Sequence, residues 1–149
     1  MEKYIVEIIP KNKDYKDLIN EINTISPVKI HRMNINKIYS FSGVNDSEIT
    51  FIVETLLVDP FLENYKVKKK KQKKENNDKT IINIWYKPAV LDVVANTISN
   101  AVRYLGINKS IEVHSGTQLI LEPAIKEKYV KEILEKIFLN PLIQYYEIL

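Results

Sequence analysis

Two stretches of this chain say nearly the same thing. Leu56-Leu-Val-Asp-Pro-Phe-Leu-Glu-Asn-Tyr-Lys-Val67 and Ile137-Phe-Leu-Asn-Pro-Leu-Ile-Gln-Tyr-Tyr-Glu-Ile148 align at one constant offset. Asp59 falls on Asn140, Pro60 on Pro141, Tyr65 on Tyr146 and Val67 on Ile148. A repeat restricts the fold strongly, because each copy must build the same unit of local structure. The 149 residues divide comfortably into two such units.

The pattern outside the repeat agrees. In the first half, Tyr4 to Ile9 is β-branched and strand-like, and Pro10 ends it. Tyr15, Leu18, Ile19, Ile22 and Ile25 recur at helical spacing, with Asp14 placed to cap the helix. Val28–Ile30 and Lys37–Phe41 read as two short strands. Ile49, Ile52, Val53, Leu56 and Leu57 make a second helix face, opened by Asp46 or Ser47. Asp59-Pro60 stops that helix, since the residue before proline disfavours helical backbone, and Leu62–Val67 forms a fourth strand. The second half follows suit. A strand over Thr80–Tyr86 precedes a helical stripe of Leu91, Val94, Ala95, Ile98, Val102 and Leu105, closed by Gly106. Strands over Ser110–Ser115 and Thr117–Glu122 flank a turn at Gly116. A helix face of Val130, Ile133, Leu134, Ile137 and Phe138 then ends at Asn140-Pro141, before a last strand over Ile143–Ile148.

The order βαββαβ, twice, predicts an α+β fold of two tandem ferredoxin-like units. The expected division is 1–67, a linker over 68–79, and 80–149. Both faces of the expected strands are apolar: Ile82, Ile84 and Tyr86 oppose Ile81 and Trp85. The expectation is therefore two sheets packed face to face, an intramolecular pseudo-dimer.

Charge supports the division. Residues 1–67 hold eight Lys/Arg against ten Asp/Glu, and 80–149 hold seven of each. Residues 68–79 hold seven lysines and two acids, so the net charge of +3 belongs to a short segment without apolar residues, read as a solvated linker. The absence of cysteine excludes a disulfide framework, a thiolate metal site and a cysteine nucleophile. The three glycines, Gly43, Gly106 and Gly116, are too far apart for a phosphate-cradling loop. His31 and His114 stand alone, without metal-ligand spacing. No apolar run is long enough for a membrane span, and Met-Glu-Lys-Tyr-Ile does not open a signal peptide, so the expected setting is the cytoplasm.

Four segments of the second half carry a resemblance: Lys87-Pro-Ala-Val-Leu-Asp-Val-Val-Ala95, Ala101-Val-Arg-Tyr-Leu-Gly106, Val113-His-Ser-Gly-Thr-Gln-Leu-Ile-Leu121 and Leu139-Asn-Pro-Leu-Ile-Gln-Tyr-Tyr-Glu-Ile148. In order and spacing, residues 81–149 resemble PurS, the small subunit of phosphoribosylformylglycinamidine (FGAM) synthase of purine biosynthesis. Val93 and Ala95 stand where that family has Pro and Gly, His114 and Thr117 where it has Arg and Lys, and Gln144 where it has Glu. The first half resembles a weaker copy, with Asn36-Lys37 answering Gly-Lys and Asp59-Pro60 answering Asn-Pro. The resemblance implies a tandem PurS, without catalytic residues or cofactors of its own. It would bridge the PurL synthetase and the PurQ glutaminase, whose complex uses glutamine-derived ammonia and ATP. It also leaves a further dimer of the tandem chain open.

The residues singled out for partner contact are Lys37, Asp59, Pro60, Asp92, His114, Gly116, Asn140 and Pro141. Each also has a plainer reading. Asp92 suits a helix cap, Gly116 a turn, His114 a surface turn, and the two X-Pro pairs structural corners. The alternative from a different class of function is a nucleic-acid module stacking bases on Tyr4, Tyr39, Phe41, Trp85 and Tyr86, with Lys68–Lys74 as its basic stretch. The chain lacks the Gly/aromatic strand motif of that class, no nucleic acid is expected, and packing accounts for the aromatics. A small-molecule regulatory domain of similar topology is the last alternative, without a clear ligand loop.

Overall fold

The computed structural model describes residues 2–70 and 78–149. Most of the expected linker falls outside these residues; its first two, Lys68 and Lys69, end a strand. The elements run β1 (Lys3–Pro10), α1 (Lys16–Asn23), β2 (Arg32–Ser42), α2 (Asp46–Ile52), β3 (Glu63–Lys69), β4 (Thr80–Tyr86), α3 (Val93–Tyr104), β5 (Glu112–Glu122), α4 (Glu127–Ile133) and β6 (Gln144–Ile148). Helices α2 and α4 each continue into one π-helical turn, Val53–Leu57 and Leu134–Phe138. These turns occupy matching positions in the repeat.

The fold is α+β, and its strands form one sheet in the order β3-β1-β2-β5-β4-β6. Two expectations need correction. The two sheets do not pack face to face; the halves join edge to edge, β2 pairing with β5 antiparallel from Arg32↔Glu122 to Ser42↔Glu112. The short strands expected in the middle of each half are instead one long strand, and Gly116 lies inside β5, not at a turn. The physical reason is the same for both. A hairpin would leave an exposed edge strand on each unit, with unpaired backbone groups. Opening the hairpins lets the two strands satisfy each other's hydrogen bonds along their whole length.

The opened strands exchange arms between the halves. β1 pairs only with the C-terminal part of β2, Lys37–Ser42, and β4 only with the C-terminal part of β5, Gly116–Leu121. The N-terminal part of each long strand, with the helix before it, crosses into the other lobe. The first core combines Tyr4, Val6, Ile8, Tyr39 and Phe41, and Ile49 and Ile52 of α2, with Ala95, Ile98 and Val102 of α3. The second combines Ile82, Ile84, Leu119, Leu121, Val130 and Ile133 with Ile22 of α1, Ile30 and Met33. Each lobe thus has the four strand segments and two helices of a ferredoxin-like unit, with one helix and one strand segment supplied by the other half. An ion pair between Lys109 and Glu48 ties the end of the α3 arm to α2.

The strand register gives the arrangement a pseudo-twofold axis. The shift that carries Arg32 onto Glu112 and Ser42 onto Glu122 carries Lys37 onto its own pairing partner, Thr117. The axis therefore passes through the Lys37–Thr117 pair. All four helices contribute to cores on one face of the sheet.

Candidate docking surface at the hinge

The hinge of the exchange is built around Gly116. A Cβ there would lie 2.3 Å from the Ile84 carbonyl oxygen and 2.9 Å from the Trp85 ring. The glycine lets Trp85 lie across the sheet, where it is only 6% exposed although the described helices pack on the other face. Trp85 donates its indole N–H to Glu147 at 3.0 Å.

Beside it runs a buried polar network with Gln118 as hub. The Gln118 amide nitrogen donates to Glu7 at 2.8 Å and to Asn83 at 3.0 Å, and its oxygen accepts from Asn36 at 3.0 Å. Glu7 also pairs with Lys68 at 3.2 Å. Glu7 and Asn36 come from one half, Asn83 and Gln118 from the other, so the network fastens the seam. Among the described residues, Asn36 Oδ1 and Ser40 Oγ are buried there without a hydrogen-bond partner. Sequence reasoning missed this network. Its one signal was a lone carboxylate, Glu7, inside the apolar strand Tyr4–Ile9.

On the helix side, Asp92 does two jobs. It caps α3 by accepting the Ala95 N–H at 3.0 Å, and it accepts the backbone N–H and hydroxyl of Ser115 at 2.7 and 2.6 Å. The second job clamps the start of the crossing helix to β5 at the hinge. Helix α1 has no side-chain cap hydrogen bond at its own N-cap, Tyr15; Asp14 accepts the Lys16 N–H at 2.9 Å, and the Tyr15 hydroxyl donates to the Ile35 carbonyl at 3.4 Å. The cap of α2 is Asn45, in a reciprocal capping box with Glu48, rather than the expected Asp46 or Ser47.

The two X-Pro corners are copies at atomic detail. Asp59 accepts the Phe61 N–H at 2.9 Å, and Asn140 accepts the Leu142 N–H at 3.1 Å. The Glu63 side chain accepts the Asp59 N–H at 2.9 Å, and that of Gln144 accepts the Asn140 N–H at 2.8 Å. Both jobs need only an acceptor oxygen, which amide and carboxylate both supply. Each corner raises an apolar tip into solvent: Phe61 is 87% exposed and Leu142 82%. Pro60 and Pro141 are exposed beside them.

A cleft of about 770 Å³ opens between the first corner and the axis. Ile8, Tyr15, Ile35 and Leu62 give it apolar walls, Phe61 stands at its rim, and Lys11, Lys13, Lys37 and Thr117 line it. It brings Lys37 and Asp59 together. Gly116 lies one residue from Thr117, whereas His114 sits on the other face, paired with Glu112 at 2.8 Å. That hydrogen bond, reinforced by the imidazole's charge, holds the Glu112 carboxyl below its ordinary range. Asp92, Asn140 and Pro141 belong to the second half's counterpart of this region.

Of the aromatic residues that could form a stacking platform, Trp85 is buried and Tyr86 half-buried. Tyr4, Tyr39 and Phe41 lie in the first core, and burial raises the Tyr39 phenol above its ordinary pKa, with the Glu63 and Asp92 charges adding to it. Among the described residues no helix is long and apolar enough to cross a membrane.

The second corner, the Asp92–Ser115 clamp and Gly116 fall within a known family pattern. The model of the PurS family, described as phosphoribosylformylglycinamidine (FGAM) synthase, matches residues 79–149. Residues 79–149 are thus similar to PurS. The match supports a role related to FGAM synthase in purine biosynthesis. No curated protein matches the chain. Within residues 79–149 one of the departures noted above has a local explanation: Gln144 keeps the acceptor that closes the corner.

Proposed function

We propose that this chain is a tandem PurS, a non-catalytic interaction subunit of FGAM synthase that bridges the PurL synthetase and the PurQ glutaminase in the cytoplasm. The match of residues 79–149 to PurS carries the reading. The first half supports it by repeating the second half's π-turn, X-Pro corner and long hinge strand at matching positions. The reading makes residues 1–67 a second PurS-like copy and the exchanged arms an internal form of dimer. The chain has no cysteine to serve as the usual nucleophile of glutamine hydrolysis. Chemistry then belongs to the partners, and this chain's work is to hold them.

Holding requires exposed, shaped surface, and the helix side around the axis provides it in the two apolar corners and the cleft between the first of them and Lys37. Co-purification tests the proposal. The chain, mixed with PurL and PurQ in the presence of glutamine and nucleotide, should elute with them as one complex. Elution as a free chain under those conditions rejects the bridging role.

A further inference from the structure

The two halves offer their partners unequal surfaces. Both corners raise an apolar tip beside the axis, so apolar contact alone would not tell one side from the other. Charge does. The first half places Lys11, Lys13 and Lys37 around its cleft. By the pairing register, Lys87 answers Lys11 and Thr117 answers Lys37: Lys11 and Lys87 donate their backbone N–H groups to Leu62 and Ile143, the matched residues of the two corners. Pro88 and Ala89 follow Lys87 where Asn12 and Lys13 follow Lys11. Three cations on one side thus face one on the other.

The cations of the cleft are not already consumed. Among the described residues, Lys13 and Lys37 enter no ion pair, and Lys11 reaches only the Pro60 carbonyl, at 3.4 Å. The two carboxylates nearby, Asp59 and Glu63, are turned to backbone N–H groups of the corner. The walls beneath are apolar, and the volume suits a few side chains of a bound segment.

We infer that this cleft docks one segment of a partner polypeptide that carries carboxylates beside an apolar side chain, and that each chain has one such site, on its first half. The inference rests on the proposed role as a bridging subunit and adds to it where, and by what chemistry, one partner is gripped. The apolar side chain packs against Phe61, Leu62 and Tyr15, and the carboxylates meet Lys13 and Lys37. Such complementarity between exposed charges sets orientation and association rate, and it weakens with salt.

Affinity for PurL and for PurQ is measured by calorimetry, at low and high salt, with three forms of the full chain. These are the unmodified protein, the double variant Lys13→Glu/Lys37→Glu, and the control Lys87→Glu on the opposite side. Both lysines of the double variant are exposed and, among the described residues, enter no ion pair, and circular dichroism checks that the fold is kept. The expected result is a loss of about tenfold or more in affinity for one partner in the double variant, little change in the control, and a salt dependence that the double variant lacks. Unchanged affinity in the double variant, or a loss confined to Lys87→Glu, overturns the docking site while leaving the bridging role standing. Failure of the unmodified chain to bind either polypeptide overturns both.

Discussion

The two lobes share a backbone design and differ in how they fasten it. At the corners they are nearly interchangeable: the π-helical turn, the X-Pro pair and the closing acceptor recur with matching hydrogen bonds. At the hinge they diverge. The second half clamps its crossing helix through Asp92 and Ser115 and flattens its strand with Gly116. The first half has Ile35 and Asn36 at the positions of Ser115 and Gly116 and leaves a cleft. Two lobes of one design can thus share what closes the chain and differ in the surface they expose. The exchange of α1 and α3 between the lobes makes the two halves depend on each other for their cores.

The contrast is sharpest at Gly116 and Asn36. Gly116→Ala drives a Cβ against the Ile84 carbonyl and should cost about 3 kcal/mol, since backbone must move to accept it. Asn36→Ala removes one amide contact to Gln118 and should cost about 1 kcal/mol. Urea unfolding followed through Trp85 measures both, and equal costs would break the claimed difference between the hinge positions.

The seam comes next. Gln118→Leu leaves Glu7 buried with Lys68 as its remaining partner and should cost about 2 kcal/mol. If instead the variant is as stable as the parent, the network does not fasten the halves. The corners should answer alike: Asp59→Ala and Asn140→Ala should each cost about 1 kcal/mol, and Asn140→Asp almost nothing. A large inequality in thermal midpoints between the two alanine variants would show that the corners are not equivalent.

The smallest effect is confined to the first lobe. The Tyr4 ring is buried, and its hydroxyl donates to Asp46 with Glu2 alongside. That hydrogen bond raises the Tyr4 pKa, with desolvation and the carboxylate charges acting in the same direction. A raised pKa means that the folded state holds this proton more tightly than the unfolded chain. The contribution is therefore complete below the unfolded tyrosine value, about 10, and is lost as pH rises through the folded one. Stability of the parent should fall more steeply than that of Tyr4→Phe in alkaline solution. Parallel pH profiles would remove Tyr4 from the account.

Much of this was legible in the chain itself. Helical stripes, the X-Pro stops and the Asp92 cap are local features, written in spacing and in the residues that flank it. The long strands were harder. Lys37–Phe41 and Thr117–Glu122 alternate in the same way whether each strand ends at a hairpin or runs straight on, and Gly116 suits a turn as well as a flat spot beneath a tryptophan. The face-to-face arrangement failed for a related reason. Apolar residues on both faces ask for burial, but Trp85 and its neighbours cover much of the open face themselves. Nor does an apolar stripe such as Ile22, Ile25 and Leu18 name the sheet it will meet, so the arm exchange left no mark. The Asp92–Ser115 clamp joins residues distant in sequence and was equally silent.

The most direct test of the account is reconstitution of glutamine-dependent FGAM synthase activity from PurL and PurQ, with this chain added in increasing amounts. Activity should be low in its absence and rise to a plateau as the complex fills. Full activity from PurL and PurQ alone would contradict the role proposed for it.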